Sequence, residues 1–131
     1  NVLTQFGKAS QRGSTGLLAH NYLAGAQFAL IEMGQPIYLI RGDGRKTSFV
    51  VTDIFRFQAL QPNSVDSEFI DLASGAQMSA ATLFSRMYSR HGAVVLQTCI
   101  ASDGIRTWGR LFVIAAPTPE QVVRGLPGAG R

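Results

Sequence analysis

The chain contains a single cysteine, Cys99, among its 131 residues. A lone thiol cannot form an intramolecular disulfide, so a disulfide-stabilised scaffold is excluded. No apolar run approaches the roughly 18 residues that a membrane-spanning helix requires, and no signal peptide is evident. Because the sequence starts at Asn1 and not at a methionine, we expect it to be a processed or truncated piece of a longer protein.

Charged residues are also scarce, at 15% against 46% hydrophobic residues, and this balance is typical of a folded globular chain. The length indicates one domain, residues 1–131, with a frayed tail over residues 118–131. The formal net charge of +4 comes from scattered basic residues that form no stripe interleaved with aromatics. We therefore do not expect a nucleic acid as a partner.

Apolar periodicity and turn signals predict a chain rich in strands, punctuated by one or two short helices. Strands are predicted over residues 17–20, 36–40, 47–57, 69–72, 93–98 and 108–116, and helices over residues 24–33 and 78–90. A turn is predicted over 12–16, an Asp-Gly hairpin turn at 43–44, and loops over 61–75 and 102–107. No alternation of strand and helix indicates a parallel sheet, so the pattern predicts a mostly antiparallel β-barrel.

Three residues able to support covalent chemistry lie at the predicted ends of strands: His20, Cys99 and Arg110. The ends of neighbouring strands meet at one mouth of a barrel, so these side chains could form one site. A cysteine nucleophile needs a nearby base to become a thiolate and a donor to hold the oxyanion that it creates. The histidine can be that base, and the guanidinium, which is charged at any working pH, can be that donor.

Each of these residues could also have a purely structural role instead of a catalytic one. Cys99 could be a small buried hydrophobe and His20 a hydrogen-bonded structural residue. His91 follows a predicted helix, where a cationic side chain favours the helix C-terminus, but it lies close enough in sequence to Cys99 to be a second candidate base. Arg106 competes with Arg110 for the cationic role, although Arg110 is preferred because an apolar strand follows it.

Other classes of site receive little support. The single cysteine and two histidines lack the short spacing of a structural zinc site, so no metal site is predicted from them. No Gly-x-Ser-x-Gly elbow and no phosphate-binding glycine loop is present. Asp66, Glu68 and Asp71 could bind calcium, but carboxylates scattered along a loop are more often solvated.

The three candidate residues also lie in motifs that resemble one known family, the sortases. Residues 16–21 (Gly-Leu-Leu-Ala-His-Asn) and 34–39 (Gly-Gln-Pro-Ile-Tyr-Leu) look like the segment around the sortase histidine. Residues 96–99 (Leu-Gln-Thr-Cys) are similar to the sortase signature Leu-x-Thr-Cys, and residues 109–115 resemble the arginine-bearing strand that follows it. The motifs occur in the family's order between residues 16 and 115, about three quarters of the chain.

This resemblance implies a sortase-like closed β-barrel of about eight strands, abbreviated at its N-terminus, with one or two short helices. It implies a cysteine transpeptidase, a thiol peptidase without a cofactor, that cleaves a Leu-Pro-x-Thr-Gly-like sorting signal through a thioester on Cys99. His20 would transfer protons to and from the amines, Arg110 would bind the substrate backbone or the oxyanion, and Thr98 would help to position the substrate. A plain strand role for Thr98 is equally compatible with the sequence.

The resemblance also implies partners and a location. The partners would be the sorting signals of secreted proteins and an amine acceptor from peptidoglycan or a pilin, at the extracellular face of a bacterial membrane or cell wall. Contact with the membrane would be made only through a segment absent from this chain. The predicted helix over residues 78–90 resembles that of sortase subgroups with a helical insertion before the cysteine strand, and calcium activation is known in some sortases. Two alternatives stay open: a cysteine hydrolase on the same fold and an inactive peptide-binding module.

Overall fold

A computed structural model of the chain describes residues 4–6, 15–18, 25–40 and 42–119. The described residues form eight strands and two helices. The strands are β1 (Thr4–Phe6), β2 (Thr15–Leu18), β3 (Pro36–Ile40), β4 (Lys46–Ala59), β5 (Phe69–Asp71), β6 (Gln77–Met78), β7 (Val94–Ser102) and β8 (Ile105–Pro117). The helices are α1 (Gly25–Phe28), a single turn, and α2 (Ala80–Tyr88).

All eight strands belong to one sheet, in the order β1-β2-β7-β8-β4-β5-β6, with β3 also paired to β4. The sheet curls into a half-barrel. The pair β2–β7 is parallel and the other pairs are antiparallel. The predicted strand-rich, mostly antiparallel fold is therefore confirmed.

The sheet has a hydrophobic core on each face, because side chains alternate between the faces along a strand. One core lies between the sheet and α2, and includes Phe57, Phe69, Leu83, Met87, Tyr88, Val95, Phe112 and Ile114. The other core lies on the opposite face with α1 and includes Phe28, Phe49, Val51, Val94, Leu96, Leu111, Val113 and Ala115. Buried on both faces, the central strands β7 and β8 form a rigid platform.

Several predicted elements are confirmed closely. Strand β3 has the predicted bounds, β4 and β5 differ from prediction only at their ends, and α2 lies within the predicted helix before β7. Ser79 caps α2, since its hydroxyl oxygen accepts a hydrogen bond of 3.1 Å from the Thr82 N–H. The hairpin between β3 and β4 also forms, with Gly44 at a φ of +86° in its turn.

Two predictions near the N-terminal end were wrong. The helix expected over residues 24–33 is only α1, because the following residues bond to β4: the Gly34 N–H donates to the Val51 carbonyl and the Val51 N–H to the Gln35 carbonyl. The turn was expected over residues 12–16, but residues 15 and 16 belong to strand β2, where the Thr15 N–H donates to the Ala93 carbonyl. The predicted tail from residue 120 onward lies outside the described residues.

Across the described ranges, no helix has the length and apolar character needed to cross a membrane.

Candidate active site

A tight hairpin places Cys99 and Arg110 beside each other. Ser102 and Ile105 are paired, and the turn between them has positive φ at both central residues, 51° at Asp103 and 78° at Gly104. This conformation matches the right-handed twist of the flanking strands, and an Asp-Gly pair adopts it readily. The loop predicted over residues 102–107 was therefore wrong, and so was the placement of Cys99 and Arg110 at strand ends.

Cys99 and Arg110 are instead direct partners inside the β7–β8 ladder. Side chains directly opposite each other in an antiparallel pair point to the same face, with Cβ atoms about 5 Å apart. The register continues across the sheet, from Arg110 to Phe57 on β4 and from Phe57 to Asp71 on β5. The half-buried thiol and the guanidinium thus share the face that carries α2.

The Arg110 side chain is held by three contacts. Its Nη1 donates to the carbonyls of Thr107, at 3.1 Å, and Gly109, at 3.0 Å. Its Cζ lies 5.5 Å from the centre of the Phe69 ring, within the range of a cation–π interaction. Because Phe69 is 2% exposed and belongs to the core, this contact fixes the guanidinium against a rigid aromatic surface, on the side of β8 that faces β4 and β5.

Gln97 is a neighbour of the site that the sequence interpretation did not single out. It precedes Cys99 by two residues on β7, so its side chain lies on the same face. The buried hydroxyl of Tyr88, at the end of α2, donates a hydrogen bond to Gln97 Oε1, and burial raises the pKa of Tyr88 above its ordinary value. The period-2 pattern of β7 could have identified Gln97, but no sequence signal indicates its partner on α2.

Thr98 is 4% exposed. As the immediate neighbour of Cys99 on β7, it points to the opposite face of the sheet, which carries the second core. This position favours the structural alternative for Thr98 over direct contact with a substrate.

His20 lies outside the described residues. The nearest described residue, Leu18, is the partner of Gln97 in the parallel pair β2–β7. His20 and Cys99 follow these two partners by two residues each along the sequence.

The competing candidates lie elsewhere. His91 is exposed in the turn between α2 and β7, and Arg106 is exposed within β8 instead of the predicted loop. The possible calcium ligands Asp66, Glu68 and Asp71 do not assemble: in the part of the chain that the structure describes, no three His, Cys, Asp or Glu side chains form a group able to hold a metal ion. The Asp71 carboxylate accepts a hydrogen bond of 2.9 Å from the Ala73 N–H.

A cavity of 260 Å³ lies on the same face of the sheet as Cys99 but along the other flank of α2. It opens between the helix and strands β4 to β6, whereas Tyr88 of α2 contacts β7. Neither Cys99 nor Arg110 lines this cavity, although Phe57, the cross-strand partner of Arg110, does.

Two solved structures of sortases share this fold. Sortase C from Streptococcus pneumoniae has 20% sequence identity and a TM-score of 0.52, with the alignment covering 81% of this chain and 44% of that protein. Sortase C1 from Streptococcus suis has 17% identity and a TM-score of 0.52, covering 81% of this chain and 49% of that protein. No family model and no curated protein matches the sequence. The chain has a sortase-like fold, as the motifs predicted, and spans less than half of each of these two proteins.

Proposed function

We propose that this chain carries the active site of a sortase-type cysteine transpeptidase. The observation that supports this best is the direct pairing of Cys99 with Arg110 inside a sortase-like sheet. The pairing gives a half-buried thiol an arginine as its cross-strand neighbour, with the two Cβ atoms about 5 Å apart. On this proposal, the arginine paired with Cys99 supplies two requirements of nucleophilic catalysis, a positive field for the thiolate and a donor for the oxyanion.

In the proposed reaction, the Cys99 thiolate attacks the carbonyl carbon of the threonine in a Leu-Pro-x-Thr-Gly-like signal. Arg110 donates hydrogen bonds to the substrate carbonyl or to the oxyanion that forms. Collapse of the tetrahedral intermediate breaks the bond to the glycine nitrogen, and the leaving amine takes a proton from His20. The thioester on Cys99 is then attacked by a second amine, which returns a proton to His20 and frees the thiolate.

His20 is proposed as the proton carrier because of the β2–β7 register. Leu18 pairs with Gln97 in a parallel pair, and His20 and Cys99 each follow one of these partners by two residues in the sequence. His91 is the less suitable base, since it is exposed in the turn before β7, at the opposite end of that strand from the hairpin.

The proposed substrates are the sorting signals of secreted proteins, and the proposed acceptor is an amine of peptidoglycan or of a pilin. The related sortase C from Streptococcus pneumoniae is described in connection with pilin substrate specificity, which supports a pilin lysine as one acceptor to test. On this proposal the enzyme works at the extracellular face of a bacterial membrane or in the cell wall. It needs no cofactor, because the thiol and the two cationic side chains supply the chemistry.

The test is intact-protein mass spectrometry after incubation with Leu-Pro-x-Thr-Gly-type peptides, with and without triglycine as the amine. We expect a mass gain equal to the peptide up to threonine, which Cys99→Ala abolishes and triglycine discharges. His20→Ala should slow acylation by orders of magnitude, with His91→Ala as the matched control that stays close to wild type. Persistent cleavage by Cys99→Ala would contradict the mechanism.

The same experiment separates the two alternatives. Release of the free acid at an undiminished rate in the presence of triglycine would indicate a cysteine hydrolase. Binding of the peptide, measured by fluorescence anisotropy, without any adduct on Cys99 would indicate an inactive peptide-binding module.

A further inference from the structure

The cavity on the far flank of α2 has the size of a pocket for one side chain. Its volume is 260 Å³, whereas sites for drug-sized ligands and cofactors occupy about 300–1,000 Å³. Its lining is mainly apolar, from Phe55, Phe57, Met78 and Met87. Phe57 and Met87 are 1% and 3% exposed and belong to the core, so the bottom of the pocket is rigid.

One wall of the pocket is an arginine that is already held in place. The Arg90 Nε donates to the Arg86 carbonyl at 3.2 Å, and its Nη1 lies 3.7 Å from Asp53 Oδ2. Its Cζ also lies 5.3 Å from the centre of the Phe55 ring. The charge of Arg90 is thus balanced by Asp53, and its guanidinium extends the aromatic wall.

The rim carries two further charged groups. Arg86 is exposed, and among the described residues its guanidinium has no acceptor for a hydrogen bond or an ion pair. Asp71 uses Oδ1 to accept from the Ala73 N–H, which leaves Oδ2 available as a second acceptor. Within the described ranges, the pocket therefore presents a donor and an acceptor without partners above an apolar floor.

We infer that this pocket is a docking site for an extended peptide segment of a partner protein, which inserts one large apolar side chain between α2 and β4. The main-chain carbonyl of that residue accepts from Arg86, and a main-chain N–H donates to Asp71. A carboxylate ligand would be repelled by Asp71 and an ammonium ligand by Arg86, whereas a neutral amide satisfies both. This inference does not depend on the chemistry proposed for Cys99, because neither Cys99 nor Arg110 lines the pocket.

The methionines give a direct test by NMR. Two of the three methionines in the chain, Met78 and Met87, line the pocket, whereas Met33 is 59% exposed and belongs to neither core. In protein labelled with ¹³C at the methionine methyl groups, titration with N-acetyl-leucinamide should shift Met78 and Met87 saturably and leave Met33 in place. For a probe of this size we expect a Kd on the order of millimolar.

Matched variants test the polar contacts. Arg86→Gln and Asp71→Asn should each weaken binding of the probe at least threefold. The control Arg56→Gln removes an exposed arginine of β4 on the opposite face and should leave the affinity unchanged. The inference would be overturned by an absence of saturable shifts, by an equal shift of Met33, or by equal weakening in the Arg56 control. Isobutylbenzene binding as tightly as the amide would also overturn it, because the pocket would then select only for apolar surface.

Discussion

Cys99 and Arg110 are direct partners across the β7–β8 ladder, and the Asp103-Gly104 turn fixes their register. A slip of one residue in either strand would move one side chain to the other face of the sheet. Both strands contribute buried residues to the cores on both faces of the sheet, so a slip would also expose core residues. The pairing of the thiol with the cation is therefore a consequence of the hairpin and the two cores, before any substrate binds.

Replacement of Arg110 by lysine should greatly reduce the rate at which Cys99 is acylated. Lysine keeps the charge but loses the planar guanidinium, whose Nη1 donates to two carbonyls while its Cζ lies over the Phe69 ring. Loss of a positioned oxyanion donor costs about 100-fold to 1,000-fold in rate. The measurement is single-turnover acylation by a Leu-Pro-x-Thr-Gly peptide. The control is Arg106→Lys, an exposed position of β8, which should stay within a few-fold of wild type. Equal losses in the two variants would argue against a specific role for Arg110.

Substitution of Phe69 should slow the acylation of Cys99 by more than the accompanying loss of stability explains. In Phe69→Leu the core keeps an apolar residue, and we expect a loss of about 1–2 kcal/mol in the free energy of unfolding. The ring that faces the Arg110 guanidinium is lost as well, so the arginine should become mobile and acylation should slow at least tenfold.

The matched control for Phe69 is Phe84→Leu. Phe84 packs against Phe69 and Phe112 on the same face, whereas the cation–π contact of Arg110 found among the described residues is with Phe69. It should lose a similar amount of stability, measured by urea unfolding, with acylation nearly unchanged. If both variants lose acylation in proportion to stability, Phe69 acts only as a core residue.

The strand-rich fold could be predicted from the sequence because its periodic signals agree with the final structure. The apolar runs of β3, β4, β7 and β8 are confirmed, and so is the Ser79 cap of α2. The hairpin at residues 103–104 was missed although it carries the same Asp-Gly signal as residues 43–44. Apart from Ile105, residues 102–107 are polar or glycine, and this composition is typical of a loop as well as of a tight turn.

The contacts that complete the candidate site could not be predicted, since they depend on which strands lie next to each other. Arg110 reaches Phe69 only because β4 pairs with both β8 and β5. Tyr88 reaches Gln97 only because α2 crosses the face that carries Cys99. Local sequence patterns contain no information on such pairings, and the role of His20 stays a prediction because that residue lies outside the described ranges.

Gly109 should not tolerate a side chain. A Cβ atom at this position would lie 2.4 Å from the Phe57 carbonyl oxygen and 3.4 Å from Ile100 Cβ. Since the first contact is with the backbone of β4, Gly109→Ala must push β8 away from its neighbour, and we expect a loss of about 1–3 kcal/mol in the free energy of unfolding. The displaced Gly109 carbonyl also binds Arg110, so acylation should fall with stability.

Gly42→Ala is the control for this prediction. A Cβ atom at Gly42 has no neighbour within 4 Å, and the residue has no positive φ. Its free energy of unfolding should stay within about 0.5 kcal/mol of wild type, as is usual for surface substitutions. A stability for Gly109→Ala equal to that of Gly42→Ala would show that β8 and β4 can separate freely.

Because of the buried Tyr88 phenol, the fold should become less stable as the pH rises above 10. Burial raises the pKa of its phenol above the ordinary value of 10.0, so the unfolded chain gives up this proton at a lower pH than the folded chain does. The stabilisation by the neutral phenol is complete below pH 10 and is lost as the pH rises through 10 toward the pKa of the folded state. Above pH 10 the free energy of unfolding should fall by up to about 1.4 kcal/mol per pH unit from this group.

Tyr88→Phe tests this dependence. At pH 8 the variant should lose about 1–3 kcal/mol, because Gln97 Oε1 loses its buried donor. Between pH 10 and 11 its urea-unfolding free energy should decline less steeply than that of wild type, since no phenol titrates at position 88. Tyr38→Phe, at a side chain that is 50% exposed, should keep the wild-type decline. Parallel declines in wild type and Tyr88→Phe would mean that the phenol at position 88 reaches solvent, and Gln97 would then be free to turn away from α2.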